Sequence, residues 1–126
     1  MMQSVIMVAI GGALGATLRF LWGVSFMRLF GPVEFPVAIM TANILGSFLM
    51  GAFVVLAAHK GLTHLSPLIM TGLLGGFTTF SAFSLEAVTL IERGQSAAAV
   101  GYVALSVVLS LGGLMLGLWL VRSVLA

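Results

Sequence analysis

Long apolar runs that contain no charged side chain make up most of the chain. Four such runs lie at residues 1–18, 35–59, 61–85 and 94–121. A membrane-spanning helix needs about 20 mostly apolar residues, because the hydrocarbon core of a bilayer is about 30 Å thick. The pattern therefore predicts an all-α membrane protein with four transmembrane helices, at about residues 4–29, 36–58, 65–91 and 96–124.

The composition leaves no room for a soluble domain beside these helices. Of the 126 residues, 61% are hydrophobic and 6% are charged, and the mean hydropathy is +1.27. A soluble domain carries about a quarter charged residues, so we expect one transmembrane domain over residues 1–126 and no enzymatic domain. The absence of cysteine excludes disulfides and thiolate metal sites. The five basic residues are scattered, which argues against a nucleic-acid partner.

Small residues recur four positions apart in every predicted helix. The pairs are Gly11/Gly15, Ser47/Gly51, Gly72/Gly76 and Gly113/Gly117. Such pairs allow helix backbones to approach closely in lipid, where packing drives association. We therefore expect tight contacts between the helices.

The charged residues between the helices do not fix an orientation in the membrane. Arg28 and Arg93 fall on one face, whereas Lys60 and Arg122 fall on the other. The positive-inside rule needs an imbalance of Lys and Arg between the two faces, and here there is none. We expect either insertion in both orientations or an orientation that weaker determinants decide.

The third predicted helix contains an unusual polar stretch, Gly75-Gly-Phe-Thr-Thr-Phe-Ser81. Glycine destabilises a helix interior by up to about 1 kcal/mol relative to alanine, and the neighbouring hydroxyls can bind the backbone groups that a break would free. In transporters, interrupted helices bind ions through such unpaired backbone groups. The alternative is an intact helix whose hydroxyls bond back to their own turn.

Hydrogen-bond donors and aromatic rings outnumber acids in the predicted helices. Phe80 and Phe83 share a helical face, where they either pack against a neighbouring helix or present positive ring edges to an anion. Asn43 either ties two helices together or donates its amide hydrogens to an anion. In the last helix, hydroxyls recur four positions apart at Tyr102, Ser106 and Ser110. This inventory favours a path for an anion.

Two charged residues lie within the predicted helices. Arg19 either extends to the membrane interface or raises the local anion concentration in a vestibule. Glu86 is the one clear acid, and we expect it to anchor the end of the third helix. Charges at such depths are candidates for function.

Three segments resemble the Fluc (CrcB-type) fluoride channel family, and the resemblance covers essentially the whole chain. They are Gly11-Gly-Ala-Leu-Gly-Ala-Thr-Leu-Arg-Phe20, the Asn43-x-x-Gly46 element and Gly75-Gly-Phe-Thr-Thr-Phe-Ser-Ala-Phe-Ser-Leu-Glu86. The last segment is the most specific of the three. Ala82 departs from the family pattern, in which Thr or Ser is frequent at this position.

The resemblance implies a passive, fluoride-selective channel in the cytoplasmic (inner) membrane of a prokaryote, where it lowers cytoplasmic fluoride. It implies a broken third helix, an antiparallel dual-topology homodimer, and a structural sodium ion at the dimer interface. By the same resemblance, the backbone carbonyls of Gly75 and Thr78 match the sodium ligands, and Arg19 matches a vestibule arginine. The residues assigned to the anion pathway are Asn43, Thr79, Phe80, Ser81, Phe83, Ser84, Tyr102, Ser106 and Ser110.

Two other functions are compatible with a chain of this size. A small proton-coupled exporter of cationic compounds is also a four-helix, often dual-topology protein. It needs a titratable acid in an early helix, and the first two predicted helices contain none. A non-transporting assembly subunit would account for the glycine pairs but not for the hydroxyls.

Overall fold

A computed structural model describes residues 1–126 and consists of helices joined by short turns. Along the chain these elements are α1 (Met2–Phe30), α2 (Val37–Lys60), a 3₁₀ turn (Thr63–Leu65), a π-helix (Pro67–Leu74), α3 (Gly75–Phe77), α4 (Phe80–Glu92) and α5 (Ser96–Leu125). The segment Thr63–Glu92 is called the third span below. By length and hydropathy, α1, α2, the third span and α5 can each cross a membrane. The prediction of an all-α protein with four spanning segments is confirmed.

Glycine ends the long helices at the connections between them. Gly61 caps α2 in the left-handed conformation, with φ 67° and ψ 34°, and its amide donates to the Ala57 carbonyl. Only glycine adopts this conformation without a steric penalty. The short connections that result make consecutive spans run in opposite directions.

Close backbone contacts at glycine join the spans in pairs. In α1, a Cβ added to Gly15 would collide with the Leu73 carbonyl of the third span. In α2, a Cβ added to Gly51 would collide with the Leu114 carbonyl of α5. The expected tight packing is thus confirmed, with α1 against the first half of the third span and α2 against α5.

A small apolar core holds the second half of the third span against α5. It contains Ala87 and Leu90 of α4 together with Ala99 and Tyr102 of α5. Elsewhere large apolar side chains are exposed along the outer faces of α1 and α5. Such surfaces are expected where a protein faces lipid rather than water.

Candidate functional site

The third span is interrupted halfway along its length, at Thr78 and Thr79. Both residues have extended backbone, with φ and ψ of −84° and 156° at Thr78 and of −151° and 124° at Thr79. Thr79 caps the helix that follows, because its Oγ1 accepts a 3.1 Å hydrogen bond from the Ala82 amide. The predicted interruption is confirmed, and the alternative of an intact helix is wrong.

Asn43 of α2 holds this break from the side. Its Oδ1 accepts a 2.8 Å hydrogen bond from the Thr79 amide, and its Nδ2 donates a 3.1 Å hydrogen bond to the Thr79 carbonyl. One side-chain amide thus pairs both backbone groups of Thr79. The role of Asn43 as a tie between helices is confirmed. The second hydrogen on Nδ2 is left for another acceptor, because an amide nitrogen carries two.

The side chains of Asn43 and Thr79 take up backbone amides of the break and so leave two backbone carbonyls without their helical donors. In a continuous helix the Gly75 carbonyl would accept from the Thr79 amide, and the Thr78 carbonyl would accept from the Ala82 amide. The two amides donate instead to the side chains of Asn43 and Thr79. The carbonyl oxygens of Gly75 and Thr78 therefore fit the requirement of a sodium ion, which unwound backbone carbonyls coordinate in membrane proteins.

Arg19 binds the same break from α1. Its Nε donates a 3.2 Å hydrogen bond to the Gly76 carbonyl. Arg19 and Arg28 also line a second cavity of about 670 Å³ beside α1. Two guanidinium groups in one cavity raise the local concentration of anions. The sequence assigns Arg28 only to a membrane face, because nothing in its neighbourhood indicates this cavity.

A cavity of about 330 Å³, called the break cavity below, opens between α2, α4 and α5. It is lined by Asn43, Ser47, Thr78, Thr79, Phe80, Phe83, Ser106, Val107, Ser110 and Leu111. Six of these residues carry a hydroxyl or an amide, and none is acidic. The lining therefore offers hydrogen-bond donors without negative charge, as an anion requires.

Three aromatic rings form a row beside the break cavity. The centroids of Phe80 and Phe83 are 5.5 Å apart, and those of Phe83 and Tyr102 are 5.2 Å apart. Phe80 is 79% exposed within the single chain. Its ring edge, which carries partial positive charge, is thus accessible to an ion in the cavity or to a neighbouring molecule.

The predicted row of hydroxyls on α5 begins beside the cavity at Tyr102 and enters its lining at Ser106 and Ser110. Tyr102 and Ser106 are 0% and 4% exposed, and neither hydroxyl oxygen has a hydrogen-bond partner within the chain. Leaving a buried hydroxyl unpaired costs about 1–3 kcal/mol. A bound acceptor would remove this cost at Ser106, which lines the cavity together with Ser110.

Three of the predicted pathway residues, Ser81, Ser84 and Tyr102, lie outside the lining of the break cavity. Ser84 donates a 2.9 Å hydrogen bond to the Phe80 carbonyl of its own helix. Ser81 is exposed, and its Oγ lies 3.3 Å from Oγ1 of Thr79. The hydroxyl of Ser81 therefore adds a polar group beside Thr79 on the exposed surface of the break.

Trp22 supports the break, a role that its position near the end of a predicted helix does not reveal. Its indole Nε1 donates to the Ala38 carbonyl and to Oγ1 of Thr41, both at 3.1 Å. Its ring packs in a T-shaped arrangement with that of Phe77, the last residue before the break, at a centroid distance of 5.9 Å. Trp22 therefore links α1, α2 and the break. Ser47 was assigned to helix packing, although its position four residues after Asn43 indicates the same helical face.

Known proteins are similar to this chain along its whole length. The family described as CrcB-like protein, Camphor Resistance (CrcB), matches residues 6–118. A protein of Roseobacter denitrificans named fluoride-specific ion channel FluC is 67% identical over 124 residues, which cover 98% of each chain. Proteins of the same name from Ruegeria sp. and Cereibacter sphaeroides are 62% and 60% identical and cover 99% and 100% of both chains. The similarity thus extends from α1 to α5.

Proposed function

The chain belongs to the CrcB-like family, and from this premise we propose that it is a fluoride-selective ion channel. It is not an enzyme. It exports cytoplasmic fluoride down the electrochemical gradient and so lowers the toxicity of fluoride inside the cell. The observation that carries the proposal is the break cavity, where six polar side chains and no acid lie beside a helix interrupted at mid-span.

The break cavity supplies the donors that dehydrated fluoride needs. A selective pore must replace the hydration shell of the ion with groups of its own. The second Nδ2 hydrogen of Asn43 and the hydroxyls of Ser106 and Ser110 donate to the ion. The ring edges of Phe80 and Phe83 add positive potential without a full charge, which would hold the ion too tightly for conduction.

Four further hydroxyls continue this route beyond the centre of the cavity. Thr79 lines the cavity at the break itself. Ser81 and Ser84 lie on the first turns of α4, and the unpaired hydroxyl of Tyr102 lies beside Phe83. Together with the α5 hydroxyls, Thr79, Ser81 and Tyr102 offer donors along this route, and Ser84 joins them when its hydroxyl turns from the Phe80 carbonyl to the ion.

The channel works as an antiparallel, dual-topology homodimer. In a single chain the break exposes Gly75, Phe80 and Ser81 at the middle of the third span. Irregular backbone at membrane depth is stable only where protein or a water-filled cavity covers it. A second copy covers this surface. The equal numbers of basic residues on the two membrane faces permit both orientations.

The carbonyls of Gly75 and Thr78 hold a structural sodium ion at the interface between the two copies. Their helical hydrogen-bond donors are diverted to Asn43 and Thr79. Gly75 is also exposed, so its carbonyl is accessible to a ligand shared with a second chain. A bound sodium ion would supply positive charge that neutralises these oxygens and fixes the dimer.

The second cavity forms the vestibule of the channel. Arg19 and Arg28 line it, and Arg19 also reaches the break through the Gly76 carbonyl. Anions entering from the aqueous side are therefore concentrated next to the interrupted helix. The four spanning segments place the protein in a lipid bilayer, which we assign to the cytoplasmic (inner) membrane of a prokaryote.

Fluoride efflux from liposomes tests this function. Purified protein is reconstituted into liposomes loaded with potassium fluoride, and a fluoride electrode records release after a potassium ionophore is added. We expect rapid efflux that requires the ionophore, because the current is electrogenic, and that requires neither protons nor ATP. Thr17→Val serves as a control variant, because the Thr17 hydroxyl is exposed and bonds back to Ala13.

Two other outcomes would contradict the proposal. Proton-driven exchange of cations without fluoride efflux would identify an exporter. A correctly assembled protein with no transport at all would identify an assembly subunit.

A further inference from the structure

The row of hydroxyls on α5 ends inside the break cavity. Tyr102, Ser106 and Ser110 follow one another at four-residue spacing, and the next position of this row is Leu114. No further hydroxyl occurs on α5 until Ser123. An ion that moves past Ser110 toward the end of α5 therefore needs a donor from another helix.

Ser47 of α2 lies at the level where this row ends. A Cβ added to Gly113 would lie 3.3 Å from the Ile44 carbonyl, and one added to Gly51 would collide with the Leu114 carbonyl. This register places Ser47 beside the turn of α5 that follows Ser110. Ser47 lines the same cavity as Ser110.

The Ser47 hydroxyl is not engaged by its own helix. Other helical hydroxyls bond back to the carbonyl four residues earlier, as Thr41 does to Val37 at 2.8 Å and Thr89 does to Leu85 at 2.7 Å. Ser47 makes no such bond, although this is the usual partner of a hydroxyl in an apolar helix. Its hydrogen is therefore available to an acceptor in the cavity.

We propose that Ser47 donates a hydrogen bond to the permeating fluoride ion directly after Ser110, on the way to the membrane face that carries Lys60 and Arg122. This inference rests on the proposed channel function. It assigns to Ser47 a contact with the ion instead of a role in helix packing. The close packing contact of this part of α2 is made by Gly51, which meets the α5 backbone.

Fluoride efflux from liposomes containing Ser47 variants tests this assignment. We expect Ser47→Ala to slow efflux about tenfold, which corresponds to about 1.4 kcal/mol and is close to the value of one hydrogen bond to a charged group. Ser47→Thr keeps the hydroxyl and should stay within about twofold of the wild type. Thr89→Val is the matched control, because it removes a hydroxyl that bonds back to its own helix outside the cavity.

The outcomes separate this inference from the function on which it rests. A silent wild-type protein would overturn both. A conducting wild type together with unchanged flux in Ser47→Ala would overturn the Ser47 assignment alone. Equal slowing by Ala and Thr would also overturn it, because packing and not the hydroxyl would then be responsible. If Ser47→Ala does not elute like the wild type, Ser47→Gly removes the same hydroxyl and takes its place.

Discussion

Asn43→Asp preserves the shape of a side chain while reversing one of its contacts. In the wild type, Oδ1 accepts from the Thr79 amide and Nδ2 donates to the Thr79 carbonyl. An aspartate at this position keeps the first bond. In place of Nδ2 it puts a carboxylate oxygen, which faces the Thr79 carbonyl oxygen. In the wild type the donor and acceptor at this contact are 3.1 Å apart. It also introduces a negative charge into the break cavity.

The size of the effect follows from these two changes. Losing the bond to the Thr79 carbonyl removes about 0.5–1.5 kcal/mol. A carboxylate about 4 Å from a passing fluoride ion adds a repulsion of about 4 kcal/mol at an effective dielectric constant of about 20. The lost bond destabilises the break, whereas the repulsion acts on the ion. Because each 1.4 kcal/mol is a factor of about ten, a repulsion of about 4 kcal/mol lowers fluoride flux by about a thousandfold.

The assay is fluoride efflux from liposomes, with the dimer population measured by size exclusion in detergent. We expect dimers to persist, because the change lies inside one chain and keeps the bond to the Thr79 amide. Hydrogen exchange at the Thr79 amide should accelerate only modestly for the same reason. Wild-type flux in correctly assembled Asn43→Asp would refute the placement of Asn43 on the ion path.

Three further perturbations test other parts of the site. Phe80→Ile keeps an apolar side chain but removes the ring edge, so fluoride efflux should be abolished or sharply slowed in intact dimers. Phe30→Ile is the control, because Phe30 is also exposed. Equal flux in the two variants would argue against a role for the ring. Gly15→Ala inserts a methyl group against the Leu73 carbonyl, whereas a Cβ at Gly12 meets nothing within 4 Å. The yield of folded protein should therefore fall only in the first variant, and equal yields would show that the contact with the third span is not needed. Thr79→Val removes the cap on the Ala82 amide and should lower thermal stability by about 1 kcal/mol, which an unchanged melting temperature would contradict.

The spanning segments and the position of the break follow from local patterns in the sequence. The charge-free runs predict the four spans because each run is long enough to cross a bilayer, and only the lipid removes so much apolar surface from water. The paired glycines at Gly75 and Gly76, followed at once by hydroxyls, predict the break to within a few residues: both glycines stay helical, and the helix ends at Thr78 and Thr79, where the Thr79 hydroxyl supplies the cap. Both signals lie within a few residues of the structure they predict.

The contacts that hold the break have no such local signal. Asn43 is 36 residues away from Thr79 in the chain, and its sequence neighbourhood does not reveal which backbone groups it pairs. The bond from Trp22 to α2 has the same origin in tertiary packing. The π-helix over Pro67–Leu74 is likewise outside the reach of hydrophobic periodicity, because its apolar composition fits an ordinary α-helix equally well.

The distribution of hydroxyls shows an intermediate case. Four-residue spacing identified Ser106 and Ser110 because both lie on one helix. The same spacing connects Asn43 and Ser47, but the small side chain of Ser47 also fits the pattern of helix packing. Only the register between α2 and α5 distinguishes the two roles, and that register is set by backbone contacts at Gly51 and Gly113.

The central claim is that uncharged donors around the break select fluoride among ions. The most direct test is the reversal potential of purified protein in a planar bilayer with sodium fluoride on one side and sodium chloride on the other. The account predicts a reversal potential close to that of a membrane permeable to fluoride alone. A potential near zero would contradict the account, because it indicates equal permeation of chloride. A potential that follows the sodium gradient when the two salt concentrations are made unequal would contradict it as well.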